Sequence, residues 1–369
     1  MNREKICGRN SSNSKREESE KKFRDGEKEE DRFSILPDEI ILRILSFVDA
    51  KIAVQTSVLN KRCRNLWVSL PVFNFDDSSF EDVMVFEDFI DNFFYGRDAS
   101  TNVFDVNLEC HDELEDGDLV DSVIDHVTDT PSIFNNIEAL KILAECVVTN
   151  LPQLSLCKSL TSLKLCYIVT ENTNFNLPSI KHIYLQDCKF ECGEENFLNP
   201  FENCVNLKIL YFHSCQYYGG IETLKISTPH LTDLSISNFR VDEKFNPDFK
   251  IELYTPELKY FKYFDSNLYC FSTKIYLSSV KKIHVNVCSL TKDIKSLFHL
   301  IELFEIMQTA RHVSLSRNII KVLSKFSDIL KDEQCSPFSR MKTFEIIQDH
   351  SSSYVMPRNV KNYFFGAPS

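Results

Sequence analysis

Cysteine and histidine are the residue types with the widest range of possible chemistry in this sequence, because both can bind metals or act in catalysis. The chain has 13 cysteines and 9 histidines in 369 residues. It has no Cys-x-x-Cys pair, and the nearest spacings, Cys188 with Cys192 and His284 with Cys288, lack the second ligand pair of a tetrahedral zinc site. An odd cysteine count in a long chain without an export signal indicates reduced, mostly buried thiols. We therefore predict neither a metal site nor a disulfide framework.

Glycine is scarce, and its placement argues against the common nucleotide sites. Only 8 glycines are present. The single Gly-Gly pair, Gly219 and Gly220, lacks the spaced glycines and the Lys-Ser/Thr of a phosphate-binding loop. We predict no cofactor.

The negative charge of the chain is concentrated in one segment. The formal net charge is -12 and the pI is about 5.3. Residues 76–125 contain 17 Asp or Glu against one basic residue, Arg97. Such a segment repels nucleic acid and anionic membranes, because phosphate binding depends on Lys and Arg. It is either a solvated face that keeps the protein soluble or a surface that attracts a basic partner.

The N-terminal region, residues 1–31, has 9 basic and 9 acidic residues with almost no apolar residue between them. It cannot bury enough surface to offset the entropy of ordering, so we predict a disordered tail. Charged residues stand where a signal peptide would have an apolar stretch, and no apolar run approaches the roughly 18 to 20 residues of a membrane span. We expect the protein in the cytoplasm, the nucleus or both.

Apolar residues recur at helical spacing directly after this tail. Residues 35–48 predict a helix from about Pro37 to Val48, because proline costs nothing in the first turn and the acidic residues 38 and 39 suit the positive end of the helix dipole. A second apolar set, residues 52–59, leads into a basic run. Two or three short helices cannot form a core of their own. The module must therefore pack against the rest of the chain or against another protein.

The residues of this module stand in a distinctive order. The order includes Leu36-Pro37, Ile44-Leu45-Ser46-Phe47, Thr56-Ser57-Val58-Leu59, Lys61-Arg62 and Leu66-Trp67. It closely resembles an F-box, and the plant F-box/leucine-rich-repeat proteins are the nearest match. In that family the module binds the Skp adaptor of a cullin-RING ubiquitin ligase. The resemblance implies an F-box over residues 32–75.

The resemblance also implies which side chains contact the adaptor. By match of motif positions, these are Leu36, Pro37, Ile40, Ile44, Leu45, Val54, Val58 and Leu59. Two positions depart from the family pattern: Cys63 stands where these F-boxes usually carry an aromatic residue, and Asn60 stands where Ser is common. The change at Cys63 removes contact area either inside the module or against the adaptor.

The remainder of the chain contains a repeat with apolar residues at relative positions one, four and six. Ten frames begin at Val103, Ile137, Leu160, Ile180, Leu207, Leu231, Leu258, Val280, Ala310 and Met341. Their intervals of 20 to 34 residues are centred on the spacing of leucine-rich repeats. Each frame predicts a short strand with positions four and six pointing inward and positions three, five and seven pointing outward. The units must stack, because none can bury its apolar side alone.

These features predict an α/β protein in which the helical F-box precedes a leucine-rich-repeat solenoid over residues 76–369. Parallel strands form its concave face, with irregular segments and helices outside. Apolar residues at helical spacing in 294–306 and 319–330 predict two of those helices. Cys188, Cys215 and Cys288 fall at position nine, where such repeats take Asn or Cys to satisfy the turn, which indicates a structural role.

The outward positions of the middle repeats are candidate contacts for a target protein. Tyr and large apolar side chains bury much area and are enriched at interface hot spots. The candidates are His182, Tyr184, Tyr211, His213, Tyr260, Lys262, Phe264 and His284. The histidines come from separate repeats, and nothing in the sequence brings them together with a carboxylate. We predict no catalytic residue.

Two functions are consistent with the sequence. The resemblance implies the substrate-recognition subunit of a Skp–cullin–F-box ubiquitin ligase, which performs no bond chemistry itself. Its partners would be a Skp-type adaptor, a cullin reached through that adaptor, and a target protein bound by the repeats. The alternative is a leucine-rich-repeat scaffold without a ligase, in which the F-box acts only as a cap. Neither nucleic acid nor a membrane is a predicted partner.

Overall fold

The structure is a computed structural model that describes residues 35–111, 117–171, 174–191, 197–242, 246, 248–330, 336–347 and 355–366. The predicted disordered tail, residues 1–31, lies outside the described residues. The α-helices are Asp38–Leu45 (α1), Ala50–Gln55 (α2), Val83–Gly96 (α3), Asp118–Asp129 (α4), Pro131–Phe134 (α5), Ile294–Ile306 (α6), Arg317–Lys325 (α7), Ser327–Leu330 (α8) and Arg358–Phe365 (α9). In these parts of the chain, no helix is long and apolar enough to cross a membrane.

Short strands follow one another along most of the chain. They are Val72–Asp76 (β1), Asp105–Glu109 (β2), Ala139–Leu143 (β3), Ser162–Cys166 (β4), Val169–Thr170 (β5), His182–Gln186 (β6), Lys189–Glu191 (β7), Phe197–Leu198 (β8), Ile209–His213 (β9), Gln216–Tyr218 (β10), Thr223–Ser227 (β11), Asp233–Ser237 (β12), Arg240–Val241 (β13), Lys250–Tyr254 (β14), Tyr260–Asp265 (β15), Cys270–Ser272 (β16), Lys282–Val287 (β17), His312–Ser316 (β18) and Thr343–Ile347 (β19). Eleven of them form one parallel main sheet in the order β1-β2-β3-β4-β6-β9-β12-β15-β17-β18-β19.

Each of the ten predicted frames coincides with a strand of this main sheet. The strand begins two residues after the first residue of the frame in every case, as at Ile180 and His182. Positions four and six are buried in nine of the ten frames and half-buried in β19, and they pair in register, for example Ile183 with Leu210. Burying each such side chain stabilises the fold by roughly 1.5–3 kcal/mol. The predicted α/β class, with F-box helices before a parallel-strand solenoid, is confirmed.

The middle repeats contain two further parallel sheets that the sequence analysis did not predict. Strands β5, β7, β10 and β13 form one of them, and β8, β11, β14 and β16 form the other. These strands are only two to five residues long. Six of the eight have only two or three residues, too few to show a period of two in the sequence. Strands β11 and β14 do alternate but were not among the ten frames. Each middle repeat therefore contains up to three strands. The sequence analysis had predicted one strand followed by an irregular segment.

A left-handed turn directs the chain from the main sheet into the second sheet. Position eight of four successive frames has a positive φ: Tyr167 (65°), Asp187 (51°), Ser214 (53°) and Asn238 (48°). The backbone N–H of each residue still donates to the next repeat, as from Ser214 to the Ser237 carbonyl at 2.8 Å. The turn thus changes direction without interrupting the hydrogen-bond ladder.

Helices cover the solenoid toward its two ends. Helices α6, α7 and α8 occupy the predicted segments 294–306 and 319–330. Helices α3 and α4, which were not predicted, lie in the acidic segment and bury Phe86, Ile90 and Val123 among other apolar residues. Acidic residues of the same helices, such as Asp88 and Asp118, remain exposed.

The F-box packs directly onto the first strand of the main sheet. The side-chain amide of Asn74 in β1 donates to the carbonyls of Ser46 (2.9 Å) and Val48 (3.1 Å) after α1. Trp67 packs against Phe93 of α3, with ring centroids 5.4 Å apart. Strand β1 falls within the residues predicted as F-box, and it pairs with β2 over its whole length. The module and the solenoid therefore share one continuous apolar core.

Candidate functional site

Helix α1 and the turn that follows it carry two separate rows of apolar residues. Ile41 and Leu45, four residues apart, lie in the core, whereas Ile40, Ile44 and Phe47 form an exposed line. These three residues leave 43%, 41% and 79% of their surface exposed, respectively, and such an exposed apolar patch is typical of an interaction surface. The outer face is therefore available for a partner.

Most of the residues predicted to bind the adaptor lie on this accessible side. Pro37, Ile40, Ile44, Val58 and Leu59 are exposed, and the side chain of Val58 is 84% exposed. Leu36 and Val54 are half-buried. Ile35, Phe47 and Ile52 are also exposed, although they were not among the predicted contacts.

Leu45 is the one predicted adaptor contact that the structure places in the core. Its side chain is only 3% exposed and belongs to the apolar core. The motif Ile44-Leu45 places two neighbouring apolar residues on different faces of α1, because successive helical residues are rotated by about 100°. Ile44 is the member of the pair that is exposed to a partner.

The two residues that depart from the F-box pattern are structural in this chain. Cys63 is buried inside the module, so the missing aromatic ring affects internal packing rather than the exposed surface. The side chain of Asn60 accepts a hydrogen bond from the Cys63 backbone N–H at 2.8 Å. A serine hydroxyl can make the same bond, so Asn60 preserves the turn.

The middle of the main sheet presents an aromatic and basic surface. Tyr184 and Tyr211 stack across β6 and β9, with ring centroids 5.0 Å apart and planes inclined by 9°. Next to Tyr211, a cavity of about 380 Å³ opens between β9 and β17. The side chains lining it include Tyr211, Asp233, Tyr260, Lys262, Lys282 and His284.

The structure thus brings together four of the eight predicted target contacts around one cavity: Tyr211, Tyr260, Lys262 and His284. The other four flank it along the same face. His182 and Tyr184 lie on β6, His213 is on β9, and Phe264 is on β15. Asp233 and Lys282 also line the cavity but were not among the predicted contacts, because only their neighbours across the sheet mark them as part of a cavity.

The predicted histidines of this surface lie on different strands: His182 on β6, His213 on β9 and His284 on β17. Burial, followed by Lys181 and Lys208, lowers the pKa of His182. Burial and Lys262 also lower the pKa of His284, an effect that Glu345 partly offsets. His213 Nδ1 lies 2.8 Å from the Ser237 hydroxyl. His182 and His284 are therefore biased toward the neutral form.

The position-nine cysteines lie mainly in the interior, as predicted. Cys188 is buried and donates weakly to the carbonyl of Leu165 at 3.4 Å. A hydrogen bond with Cys215, together with burial, raises the pKa of the Cys188 thiol. Cys288 differs, because it is exposed. Of the ten cysteines that the structure describes as free, eight are buried.

One group of possible metal ligands occurs near the start of the solenoid. Ligand atoms of Asp76, Asp77 and His111 lie within 4.8 Å of one another. The Asp77 carboxylate accepts from the backbone N–H of His111 at 2.7 Å and contacts its Nδ1 atom at 2.9 Å. This hydrogen bond to Asp77 raises the pKa of His111. The carboxylate thus has a structural role in anchoring the end of the segment after β2.

The fold and the exposed helical module define a protein with an F-box followed by a leucine-rich-repeat solenoid. Comparison with known proteins supports this class, because residues 33–75 match the family model of the F-box domain. The chain therefore contains an F-box domain, and its resemblance to plant F-box/leucine-rich-repeat proteins is confirmed.

Three relatives from Arabidopsis thaliana illustrate the similarity. An F-box protein is 32% identical over 176 residues, which cover 44% of this chain and 41% of the relative. An F-box/FBD/LRR-repeat protein is 27% identical over 313 residues, 81% of this chain and 64% of the relative. F-box/LRR-repeat protein 13 is 28% identical over 258 residues, 67% of this chain and 54% of the relative. The chain thus spans less than two thirds of the length of each of these relatives.

Proposed function

We propose that the protein is the substrate-recognition subunit of a Skp–cullin–F-box ubiquitin ligase. The observation that carries the proposal is the exposed apolar line of α1, formed by Ile40, Ile44 and Phe47, within a matched F-box domain. F-box domains are of the kind that binds Skp-type adaptors. The cullin would be reached through that adaptor. Such a role belongs in the cytoplasm or the nucleus.

The geometry of the solenoid supports the recognition half of this role. The cavity beside Tyr211 and the stacked Tyr184 offer aromatic area on a rigid parallel sheet, which is the kind of surface that anchors a protein partner. The protein itself would break no bond. It would accelerate ubiquitin transfer by holding the target at high effective concentration beside the charged enzyme.

Substitution of neighbouring residues in α1 tests the adaptor surface. Ile44→Ala should weaken adaptor binding by roughly 1–3 kcal/mol while leaving the fold intact, because the side chain is exposed. Leu45→Ala should instead lower the free energy of unfolding by about 2–5 kcal/mol, because it leaves a cavity in the core. Adaptor affinity by calorimetry and urea denaturation of the full chain measure the two effects.

Met84→Ala is the matched surface control, since Met84 is an exposed apolar residue outside the F-box. It should change neither adaptor affinity nor stability. Failure of the folded full chain to bind a Skp-type adaptor would exclude the ligase role. Equal adaptor affinities for wild type and Ile44→Ala would show that the exposed line of α1 is not the binding surface.

A scaffold without a ligase is the second candidate. The hydrogen bonds from Asn74 to the segment after α1 favour it, because they show the F-box covering the first strand of the sheet as a cap would. A cap alone does not account for the apolar residues on the outer face of α1. Adaptor binding by the full chain distinguishes the two roles.

A further inference from the structure

A row of basic side chains follows one rim of the main sheet. Position two of each frame is the residue immediately before the strand. From β6 to β19, this position is basic on six of seven neighbouring strands: Lys181, Lys208, Lys259, Lys281, Arg311 and Lys342. Thr232 is the single interruption. We call these six residues the basic rim.

The backbone fixes the spacing of the basic rim. The N–H of Lys208 donates to the carbonyl of Lys181 at 2.8 Å, and that of Lys281 donates to Lys259 at 2.8 Å. The N–H of Arg311 donates to Lys281 at 2.8 Å in turn. Neighbouring strands lie about 4.8 Å apart, so the rim extends over roughly 29 Å across seven strands.

The positive charge of the basic rim is not neutralised by the described residues. Five of the six side chains are exposed and Lys259 is half-buried. None of the six takes part in an ion pair within the described part of the chain. Asp233 is the one acidic residue at position three of these strands, and it accepts a hydrogen bond from Thr232. Nearby Glu257 pairs with His230.

The basic rim is confined to one part of the sheet. Position two of the three earlier frames is occupied by Phe104, Glu138 and Thr161, and Asp105 lies beside Glu138 at position three of β2. Burial and then the charge of Glu138 raise the pKa of Asp105. The same rim is therefore acidic near the F-box and basic next to the cavity.

The chemistry and spacing of the basic rim favour many distributed carboxylates over a single phosphate. Phosphate groups are typically held by several converging donors, often the planar fork of arginine. Here five lysines and one arginine stand in a line, with one charge for nearly every strand. An extended peptide advances about 3.3 Å per residue, so roughly nine residues would cover the rim. The aromatic cavity borders the same strands and can take an apolar side chain.

We propose that the basic rim binds an extended acidic segment of the target protein, rich in Asp and Glu, with one apolar side chain seated in the cavity between Tyr211 and Tyr260. This inference rests on the proposed function, because it names the chemistry of the target that the solenoid recognises. Nucleic acid is disfavoured as the occupant, because the chain has a net charge of -12 and a strongly acidic segment.

A direct binding assay on the full chain tests the proposal. The probe is a fluorescein-labelled peptide of alternating Glu and Ser, about twelve residues long, with one central Leu. The same peptide with Gln in place of Glu is the ligand control. The combined variant Lys208→Glu, Lys281→Glu and Arg311→Glu should lower affinity for the Glu peptide by at least about tenfold. Wild-type affinity should fall as salt rises.

The matched control is the combined variant Lys189→Glu, Lys292→Glu and Lys361→Glu, whose lysines are exposed and outside the basic rim. It changes the net charge by the same amount, so retained binding would support a local effect of the rim. Equal loss in both variants, or equal binding of the Glu and Gln peptides by wild type, would overturn the proposal. Preference for a phosphoserine peptide or for single-stranded RNA over the Glu peptide would also overturn it.

Adaptor binding is measured on the same preparations. The rim variant should bind a Skp-type adaptor as wild type does, because the substitutions lie far along the sheet from α1. Loss of peptide binding with adaptor binding intact assigns the effect to the target surface. Absence of adaptor binding in wild type would defeat the proposed ligase role while leaving acidic-peptide binding to be judged on its own data.

Discussion

Asp265 is a buried carboxylate at position eight of its frame, where four earlier frames have a left-handed turn. Its Oδ1 atom accepts from the backbone N–H of Ser266 at 2.6 Å. Its Oδ2 atom has no hydrogen-bond partner among the described residues. Burial raises the pKa of Asp265 to about 6, although the backbone bonds oppose this effect. The ionised form is therefore costly in the folded protein.

Asp265→Asn should remove one pH dependence of stability. The folded state binds the proton more tightly than the unfolded state, so wild-type stability should fall as the pH rises from about 4 to about 6 and then level off. At pH 7 the variant should be more stable by up to about 3 kcal/mol, because it has no charge to desolvate. Urea unfolding of both proteins between pH 4 and pH 7 measures the difference.

The difference between the two proteins isolates Asp265, because all other titrating groups are common to both. Asp98→Asn is a useful contrast, since hydrogen bonds from Ser100 lower the pKa of that exposed carboxyl. It should not reproduce the stabilisation at pH 7. A constant stability difference from pH 4 to pH 7 for Asp265→Asn would show that the carboxyl is not protonated more readily in the folded state.

At the scale of the structural element, the repeat is a strand, a left-handed turn and one or two short return strands. The turn residues Tyr167, Asp187, Ser214 and Asn238 have a φ that is unfavourable for every residue with a Cβ atom. The repeats retain this turn because the N–H at position eight continues the main ladder. The geometry of the ladder thus outweighs the local backbone preference.

Ser214→Gly and Ser227→Gly should have opposite effects on stability. Ser214 has a φ of 53°, which glycine adopts without steric cost, so its free energy of unfolding should stay unchanged or rise by up to about 1 kcal/mol. Ser227 is the last residue of the regular strand β11. Glycine there increases the conformational entropy of the unfolded chain, so Ser227→Gly should lower the free energy of unfolding by about 0.5–1 kcal/mol. Thermal and urea unfolding measure both. Equal destabilisation would mean that the left-handed turn does not determine the effect.

At the scale of the whole molecule, the F-box and the solenoid form one continuous body. Asn74 links them through its two donated hydrogen bonds, and its side-chain oxygen accepts from Asn107 of β2 at 2.9 Å. The Asp49 carboxylate before α2 also accepts from the backbone N–H of Asp76 at 3.2 Å. A target on the sheet would therefore be held in a fixed orientation relative to an adaptor on α1, which ubiquitin transfer requires.

Asn74→Ala should loosen this connection selectively. Loss of its hydrogen bonds leaves two partly buried carbonyls without this donor and should cost roughly 1–3 kcal/mol. Hydrogen exchange should become faster in α1 and α2 while the amides of β6 to β17 keep their protection. Asn135→Ala is the control, because Asn135 is exposed and its side-chain amide donates to the Pro131 carbonyl within the same turn. Uniform acceleration across the chain would contradict a local role for Asn74.

Local sequence pattern was sufficient to locate ten of the eleven strands of the main sheet. Apolar and polar residues alternate within a frame, as around Ile183 and Leu185. This alternation arises because successive strand residues point to opposite faces of the sheet and only one face packs against the core. The F-box was recognisable for a similar reason, because its residues lie within one short segment. The same pattern did not identify the return strands, because six of the eight span only two or three residues, while β11 and β14 alternate but were not among the ten frames.

Tertiary packing decided which side chains can meet a partner. Ile44 and Leu45 are equivalent in hydrophobicity, but the core beneath α1 buries only Leu45. The cavity beside Tyr211 and the basic rim combine residues from repeats more than 70 positions apart, which meet because parallel strands stack in register. The exposure of a side chain and its neighbours on the surface depend on residues that are distant in the chain. Those residues come into contact only when the solenoid has folded.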